Sequence, residues 1–168
     1  MSETSLKHEI EQLLYLEADY ADDWLLTDWL GLWADGELLY EVGPLDTPRA
    51  DRFSHNQVLY LLSDDRFRLE QRVIRMGKPT AHAEAPVRSQ TRHNYTHLRN
   101  IIVAGDTVTF KVNMLVTRTR RDNEGVTILP GYVLFKWVRQ NGALKIQEKR
   151  IFLDLWVLSN PGTMSIIL

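Results

Sequence analysis

The sequence SDDRFRLEQRVIRMGKPTAHAEAPVRSQTRHNYTHLRN, residues 63–100, contains the change from helix to sheet around which the rest of the chain is organised. Apolar residues recur at helical spacing in its first third, which predicts a helix over about 65–76 with Ser63 or Asp64 as the N-cap. A Gly-Lys-Pro sequence then ends the helical pattern. A long strand is predicted to begin at about residue 88.

The composition is that of one globular domain, predicted to span residues 1–168. The chain is 44% hydrophobic and 25% charged, and it is long enough to bury a sizeable core. It has no run of about 18 apolar residues and its first ten residues do not resemble a signal peptide, so we expect a cytoplasmic protein without a membrane partner. The absence of cysteine excludes disulfides, thiolate nucleophiles and iron–sulfur clusters ligated by this chain.

The charge is distributed unevenly along the chain. Residues 1–65 contain 15 acidic and 3 basic residues, for a charge of −12, and residues 66–168 carry a charge of +10. The basic residues alternate with apolar strand positions instead of clustering with exposed aromatic residues, so we do not expect a nucleic-acid partner. An acidic helical layer is expected to meet a basic sheet, within the chain or between subunits.

Two helices are predicted before residue 37. The first begins at Thr4 or Ser5 and runs to about Ala21, because apolar residues recur there at helical spacing while Glu9, Glu11, Glu17 and Asp19 fall mostly on other faces. The second contains Trp29 and Trp33, whose indoles are predicted to share one helical face. Tryptophans this close together are typical of a core or an interface.

The remainder of the chain is predicted to be mostly strands. Residues 37–42 alternate as a short strand, residues 43–57 form a polar loop, and Val58–Leu62 is compatible with a strand or a helix. Asn141-Gly142 predicts a type I′ hairpin turn. Four long antiparallel strands are predicted over about 88–103, 107–120, 127–140 and 143–158.

Helices followed by a long antiparallel sheet predict an α+β domain. The order fits an NTF2-like, or cystatin-like, cone in which N-terminal helices pack on a curved sheet, as in nuclear transport factor 2, ketosteroid isomerase and scytalone dehydratase. Such cones usually have a pocket at the open end, where Asp35, Tyr40 and His93 would serve as base, hydrogen-bond donor and acid of a free-standing dehydratase or isomerase. The apolar residues Met164–Leu168 would help to close such a pocket.

His93 and His97 are spaced as a helical metal-binding pair would be. On a strand, however, they are separated by about 13 Å, so their rings point the same way without converging on one metal. His8, His55 and His82 lie in unrelated segments, and no set of two histidines and a carboxylate for non-haem iron is evident. We therefore expect no metal site in this chain.

Charged residues within the strand pattern and the apolar terminus point to contacts between chains. Charged side chains embedded in strands are seldom buried unless they are paired, so Arg92, Arg150 and Asp154 are expected to face solvent or to form ion pairs within the fold or across a subunit contact. An exposed apolar terminus requires a surface to cover.

Several motifs resemble the small (beta) subunit of the aromatic-ring-hydroxylating, Rieske-type dioxygenases. The opening helices carry E-Q-x-L-Y-x-E-A at Glu11–Ala18 and W-L-x-L-W-x-D at Trp29–Asp35, and the ending carries R-x-x-L-D from Arg150 to Asp154. The central motifs are D-D-R-x-x-L-x-x-R-V-x-R, then A-x-A-E-x-P, then S-x-T-R-H; here they are Asp64, Asp65, Arg66, Leu69, Arg72, Val73 and Arg75, then Ala81, Ala83, Glu84 and Pro86, then Ser89, Thr91, Arg92 and His93.

The resemblance implies a non-catalytic subunit without catalytic, cofactor-binding or metal-binding residues of its own. Its partner would be a large (alpha) subunit with a Rieske [2Fe-2S] cluster and a mononuclear Fe(II), fed with electrons from NADH, and three chains of each kind would form a hexamer around a small-subunit trimer. The complex would add both atoms of O₂ to an aromatic ring. The free-standing pocket enzyme and a plain ligand-binding domain remain as alternatives. The residues proposed for subunit contacts are Arg75, Glu84, Arg92, His93, Arg150, Asp154, Trp156 and Leu168.

Overall fold

The computed structural model describes residues 3–45, 59–80, 84, 87–121, 123–158 and 165–168. Most of the predicted loop, together with Val58, His55, His82 and Met164, lies outside these ranges. The described helices are α1, Glu3–Asp22, α2, Leu26–Gly31, and α3, Arg66–Met76.

The end of α1 is a Schellman motif with an unusual residue in it. The N–H of Leu25 donates to the carbonyl of Tyr20 at 2.9 Å, and the N–H of Trp24 donates to the carbonyl of Ala21 at 3.3 Å. Trp24 takes the left-handed conformation that this motif usually leaves to glycine, with φ of 58°. Such a conformation costs a bulky residue about 1–3 kcal/mol, so tertiary contacts of Trp24 have to offset it.

The second helix is shorter than predicted. It ends at Gly31, and Trp33 lies beyond it in an isolated parallel β-bridge with Ile146. The two indoles still meet, with ring centroids 5.4 Å apart, and the ring of Tyr40 lies 6.0 Å from each of them. The chain continues past Gly31 in a tighter helical turn, in which the N–H groups of Leu32 and Trp33 donate to the carbonyls of Trp29 and Leu30 at 3.1 Å each, and this turn brings Trp33 beside Trp29.

The third helix has its N-cap one residue after Asp64, the later of the two predicted caps. Its N-cap is Asp65, whose carboxylate accepts a hydrogen bond of 2.9 Å from the N–H of Arg68. The predicted caps Ser63 and Asp64 belong instead to a short strand that leads directly into the helix.

All described strands join one six-stranded sheet in the order β2-β1-β6-β5-β4-β3. Neighbouring strands are antiparallel except β1 and β6, which are parallel, so the sheet is mixed and not wholly antiparallel as predicted. No hairpin joins β1 to β6, because β6 lies about 100 residues further along the chain, so the direction of this pairing is not set by a turn. The strands are β1, Leu39–Val42, β2, Leu62–Asp64, β3, Gln90–Ala104, β4, Thr107–Arg120, β5, Asn123–Gln140, and β6, Ala143–Leu153.

The four long strands form the predicted meander. Asn141 and Gly142 have φ values of 51° and 83°, as a type I′ turn between β5 and β6 requires. β5 begins a few residues earlier than predicted, and β6 ends at Leu153 instead of continuing to residue 158.

The core lies between the helices and the inner face of the sheet. On β4, every second residue from Val108 to Val116 is buried, and the residues between them are more exposed. From the helical side, Ile10 and Leu14 of α1 are almost fully buried. The structure thus confirms an α+β architecture with N-terminal helices packed on a curved sheet.

Candidate functional site

Glu17 and Lys149 form an ion pair with no exposed surface inside the core. The ammonium of Lys149 donates to Glu17 Oε1 at 2.5 Å and to the hydroxyl of Tyr95 at 3.0 Å. Trp29 Nε1 also donates to Oε1, at 2.7 Å, and the Tyr95 hydroxyl donates to Oε2 at 2.7 Å. The Glu17 carboxylate therefore connects α1 to α2, β3 and β6 through three hydrogen bonds.

The electrostatics of this cluster keep the Glu17 carboxyl ionised. Burial raises its pKa, but the charges of Lys149 and His93 and the hydrogen bonds from Lys149 and Trp29 outweigh that effect and hold the pKa below its ordinary value. Burial lowers the pKa of Lys149, and Glu17 offsets this only in part. Burial and the Glu17 carboxylate raise the pKa of Tyr95 well above its ordinary value. The phenol therefore stays protonated and donates a hydrogen bond to the carboxylate.

A second polar cluster lies where α1 ends against β3. Asp22 Oδ1 accepts from the hydroxyl of Thr91 at 2.9 Å and lies 2.6 Å from His93 Nδ1, and Oδ2 accepts from the backbone N–H of His93 at 3.0 Å. Burial raises the pKa of Asp22, but the hydrogen bonds and charge of His93 and the hydroxyl of Thr91 leave it below its ordinary value. His93 Nε2 lies 3.2 Å from the carbonyl oxygen of Ile167. Both ring nitrogens of His93 therefore face oxygen atoms.

A third cluster surrounds the buried carboxylate of Glu84. Its Oε1 accepts from Arg118 Nη2 and from the hydroxyl of Ser165, both at 2.5 Å, and its Oε2 accepts from the N–H of Ser89 at 2.6 Å. Arg118 in turn donates to the hydroxyls of Ser89 and Ser165, each at 2.8 Å. This cluster ties the entry of β3 to β4 and to the last described residues.

Residues 165–168, which we call the closing segment, are buried in the folded subunit. All four are at most 9% exposed, and Leu168 has no exposed surface. Ser165 binds the Glu84 cluster, the carbonyl of Ile167 faces His93, and the N–H of Leu168 donates to the hydroxyl of Tyr40 at 3.1 Å. The apolar terminus therefore covers the interior of its own subunit.

Of the three residues predicted to line a pocket, Tyr40 and His93 reach the same segment of the chain, and Asp35 does not. Asp35 is exposed, and its backbone N–H donates to the side chain of Gln140 at 2.9 Å. Tyr40 is fully buried, and burial raises the pKa of its hydroxyl. His93 is buried beside Asp22. Tyr40 and His93 both contact the closing segment.

The prediction that the His93 and His97 rings point the same way is wrong. The register of β3 against β4 shifts between Thr96 and Arg99, and again between Arg99 and Ile102, and His97 adopts a φ of 55°. These bulges interrupt the alternation of side chains, so His97 is exposed while His93 is buried. Within the described ranges, no group of three histidine, aspartate or glutamate side chains is arranged to hold a metal ion.

The residues proposed for subunit contacts occupy different environments. Arg150 is half-buried and pairs with Glu148 at 3.1 Å and with Glu41 at 3.6 Å. Arg92 projects from the sheet, with its guanidinium 3.8 Å from Asp22 and 73% of its side chain exposed. Arg75, Asp154 and Trp156 are exposed as well, whereas Glu84, His93 and Leu168 are buried within the chain.

The outer face of the sheet, away from the helices, carries exposed apolar side chains. Leu115, Val126 and Ile128 lie on neighbouring positions of β4 and β5 and are 41–56% exposed. Arg92 pairs in register with Thr117, which pairs with Ile128, so Arg92 lies in the same row of the sheet as Ile128, on the edge strand β3. We call Leu115, Val126 and Ile128, with Arg92 at their border, the outer patch.

A groove of about 380 Å³ lies on the same face, nearer the other end of the strands. Its lining includes apolar side chains such as Ile102 and Leu134 and the ion-paired residues Lys136, Glu148 and Arg150. The outer face therefore combines apolar area with charges of both signs.

Sequence reasoning missed the Glu17–Lys149 pair, although a signal existed. Glu17 lies on the buried face of α1, seven residues after Ile10 and three after Leu14. Lys149 lies on the buried face of β6, two residues before Ile151. A charged residue at an apolar position of each element indicates a buried pair. The placement of Glu17 off the buried face was wrong.

Comparisons with known proteins agree with the fold. The family described as ring hydroxylating beta subunit matches residues 16–160. The chain is 38% identical over 162 residues to the small oxygenase component of the p-cumate 2,3-dioxygenase system of Pseudomonas putida, covering 96% of this chain and 87% of that protein. A naphthalene 1,2-dioxygenase structure with indole in its active site superposes with a TM-score of 0.82 at 20% identity, covering 100% of this chain and 88% of that one. The beta subunit of benzoate 1,2-dioxygenase from Burkholderia mallei gives 0.69 at 23% identity, covering 86% and 88%.

This chain belongs to the ring hydroxylating beta subunit family, a component of the oxidoreductases that dioxygenate aromatic rings. The resemblance seen in the sequence is thereby confirmed, and so is the fold. Among the residues described here, no helix combines the length and apolarity needed to cross a bilayer.

Proposed function

We propose that this chain is the structural small subunit of a two-component aromatic-ring dioxygenase and that it performs no chemistry of its own. The observation that carries this proposal is the contrast between the inner and the outer face of the sheet. On the inner face, Tyr40 and His93 contact the closing segment instead of an open cavity. On the outer face, the outer patch leaves large apolar side chains in solvent. A protein arranged in this way is suited to hold partners and not to bind a substrate inside.

The proposed partner is a large subunit that carries the Rieske [2Fe-2S] cluster and the mononuclear Fe(II), with three large and three small chains and a small-subunit trimer. The family membership supports a large-subunit partner, and the name of the Pseudomonas putida relative, a small oxygenase component, implies a larger counterpart. The small subunit would hold the large subunits so that their redox centres lie at working distance. We place the complex in the cytoplasm, where NADH supplies its electrons, without nucleic acid or membrane as partner.

The proposed substrate class is an aromatic compound that is converted to a cis-dihydrodiol during its catabolism. The relatives' names support the class, because they refer to p-cumate, naphthalene and benzoate. They differ from one another in ring number and charge, so they support no single substrate for this chain.

Co-expression with the large-subunit gene expected beside this one tests the proposal. Size-exclusion chromatography with light scattering should show a stable complex of both chains, and elemental analysis should find iron in that complex but none in the small subunit purified alone. A monodisperse monomer that ignores the large subunit would reject the proposal. A stoichiometric metal in this chain that survives chelation, or dehydratase or isomerase turnover by it, would favour the pocket enzyme instead.

A further inference from the structure

The peptide group between Ile167 and Leu168 is hydrogen-bonded at both ends by side chains. Its carbonyl oxygen lies 3.2 Å from His93 Nε2, and its N–H donates to the hydroxyl of Tyr40 at 3.1 Å. His93 belongs to β3 and Tyr40 to β1, strands that are separated by three others in the sheet. Because the sheet is curved, two side chains from distant strands approach one peptide group from either side.

The surroundings of this peptide group are apolar and enclosed. Ile166, Ile167 and Leu168 are each at most 3% exposed and join the main core cluster with Trp29 and Tyr40. A buried amide left without hydrogen-bond partners is strongly destabilising. The positions of the Tyr40 hydroxyl and the His93 imidazole therefore favour an amide group in this part of the core.

The closing segment is not built into the sheet. Residues 165–168 have no strand assignment, and among the described residues their hydrogen bonds go to the side chains of Glu84, Arg118, His93 and Tyr40. A strand in a sheet is held by main-chain hydrogen bonds at every second residue. The closing segment is bonded by side chains, as a bound peptide ligand often is.

We propose that the inner end of the cone is a binding site for a secondary amide flanked by branched apolar groups, that is, for a short apolar peptide, and that the closing segment is the occupant it holds in this chain. His93 recognises the carbonyl and Tyr40 recognises the N–H, so the site selects amides over molecules with a carbonyl alone. The Glu84–Arg118 cluster recognises a hydroxyl at the other end of the occupant.

A peptide added to a chain with a weakened closing segment tests this site. The double variant Ile167→Ala/Leu168→Ala is titrated by calorimetry with the peptide N-acetyl-Ser-Ile-Ile-Leu, in parallel with the unaltered chain. The variant should bind the peptide at least about tenfold more tightly, because in the unaltered chain the site is already occupied. Circular dichroism confirms that the variant is folded.

A second peptide, methylated at the nitrogen of its last residue, isolates the amide contact. It keeps the apolar side chains and the carbonyl but has no N–H for Tyr40, and it should bind the double variant about tenfold more weakly than the first peptide. Adding Tyr40→Phe should remove most of that difference, since the partner of the N–H is then absent. A folded double variant that binds neither peptide, or binds both equally, overturns the proposal.

Native-state hydrogen exchange decides the question on the unaltered chain, whether or not the double variant folds. If the closing segment is an exchangeable occupant, the amide of Leu168 should exchange through local opening at least about a hundredfold faster than the amide of Val112 in the middle of β4. Equal rates for the two amides would show that the segment leaves only when the whole core unfolds, and the proposal would be wrong.

Discussion

The indole N–H of Trp24 donates a hydrogen bond of 3.0 Å to the backbone carbonyl of Ser89, 65 residues further along the chain. This bond joins the end of α1 to the entry of β3, and the guanidinium of Arg88 covers the same indole at 5.1 Å from the ring centroid. These two contacts offset the left-handed backbone of Trp24. The strained residue thus marks the joint between the helical layer and the sheet.

Replacing Trp24 by phenylalanine keeps an aromatic ring but removes the hydrogen bond to Ser89. We expect Trp24→Phe to lower the free energy of unfolding by about 1–2 kcal/mol, because the bond is lost while the backbone strain remains. Urea denaturation, monitored by circular dichroism, measures this change in the free energy of unfolding. The control is Trp156→Phe, at an indole that is 72% exposed, which should change stability by less than about 0.5 kcal/mol. Equal effects at the two positions would contradict this account.

Removing Lys149 should be far more damaging than removing a lysine from a surface ion pair. Lys149→Met leaves the Glu17 carboxylate buried without its cation and should lower the free energy of unfolding by about 3–5 kcal/mol. Lys136→Met breaks the partly exposed pair with Glu148 and should cost less than about 1 kcal/mol. Adding Glu17→Gln to Lys149→Met should restore part of the loss, since the uncompensated charge is then gone. Strictly additive effects in denaturant unfolding would refute the coupling.

Acid should destabilise the chain through Asp22 and Glu17. Both carboxyls have a pKa below its ordinary value in the folded state, so their contribution is complete above that value and is lost as the pH falls through the folded pKa. The free energy of unfolding should therefore decline as the pH is lowered from about 5 to 3. In Asp22→Asn this decline should be shallower by up to about 1.4 kcal/mol per pH unit.

The control for the acid experiment is Asp19→Asn. Asp19 lies on the exposed side of the same helix, so its replacement removes an aspartate without disturbing the contacts with Thr91 and His93. If Asp22→Asn and Asp19→Asn follow the same pH profile, the hydrogen bonds of Asp22 do not stabilise its ionised form.

A charge placed in the outer patch should weaken assembly without unfolding the subunit. Ile128→Lys puts an ammonium among exposed apolar side chains, and burying it against a partner should weaken the complex at least about tenfold. Phe67→Lys is the matched control, because Phe67 is 69% exposed on α3, away from the outer face. Size-exclusion chromatography with light scattering on co-expressed complexes reads out both. Intact complexes with Ile128→Lys would exclude the outer patch as the contact surface.

Replacing Arg92 tests the border of the outer patch separately. Arg92→Ala should weaken assembly by as much as about 3–5 kcal/mol if a partner carboxylate is left buried without its cation. The stability of the isolated subunit should change little, because the guanidinium is mostly exposed and 3.8 Å from Asp22. Unchanged affinity would assign Arg92 to solvent and not to a contact.

The sequence predicted the elements whose patterns depend on local chemistry. The alternation from Val108 to Val116 and the Asn141-Gly142 turn specify β4 and the β5–β6 hairpin, and both were correct. The parallel pairing of β1 with β6 was not predictable in the same way, because a four-residue strand without a hairpin carries no information on its direction. Whether residues 1–168 form a single domain stays a prediction.

The polar interior was harder to predict than the sheet. Glu17 and Lys149 are separated by 132 residues, and each appears as one polar residue in an otherwise apolar pattern. Their partnership depends on how α1 crosses the sheet, which local periodicity does not specify. Likewise, the sequence left two surfaces for the apolar terminus to cover, the pocket of its own chain or a partner subunit, and the structure shows that residues 165–168 cover the subunit's own interior.

The irregularities of β3 also limit how copies of this chain can associate. β3 is the last strand at one side of the sheet, and a straight strand of 15 residues there would present a row of free N–H and C=O groups on which a strand of another molecule could add. The two register shifts, with left-handed residues at His97 and Asn100, break that row into short pieces. At the opposite side, β2 is only three residues long. Strand-by-strand polymerisation is thus disfavoured at both margins of the described sheet, so contacts between chains are expected through its faces.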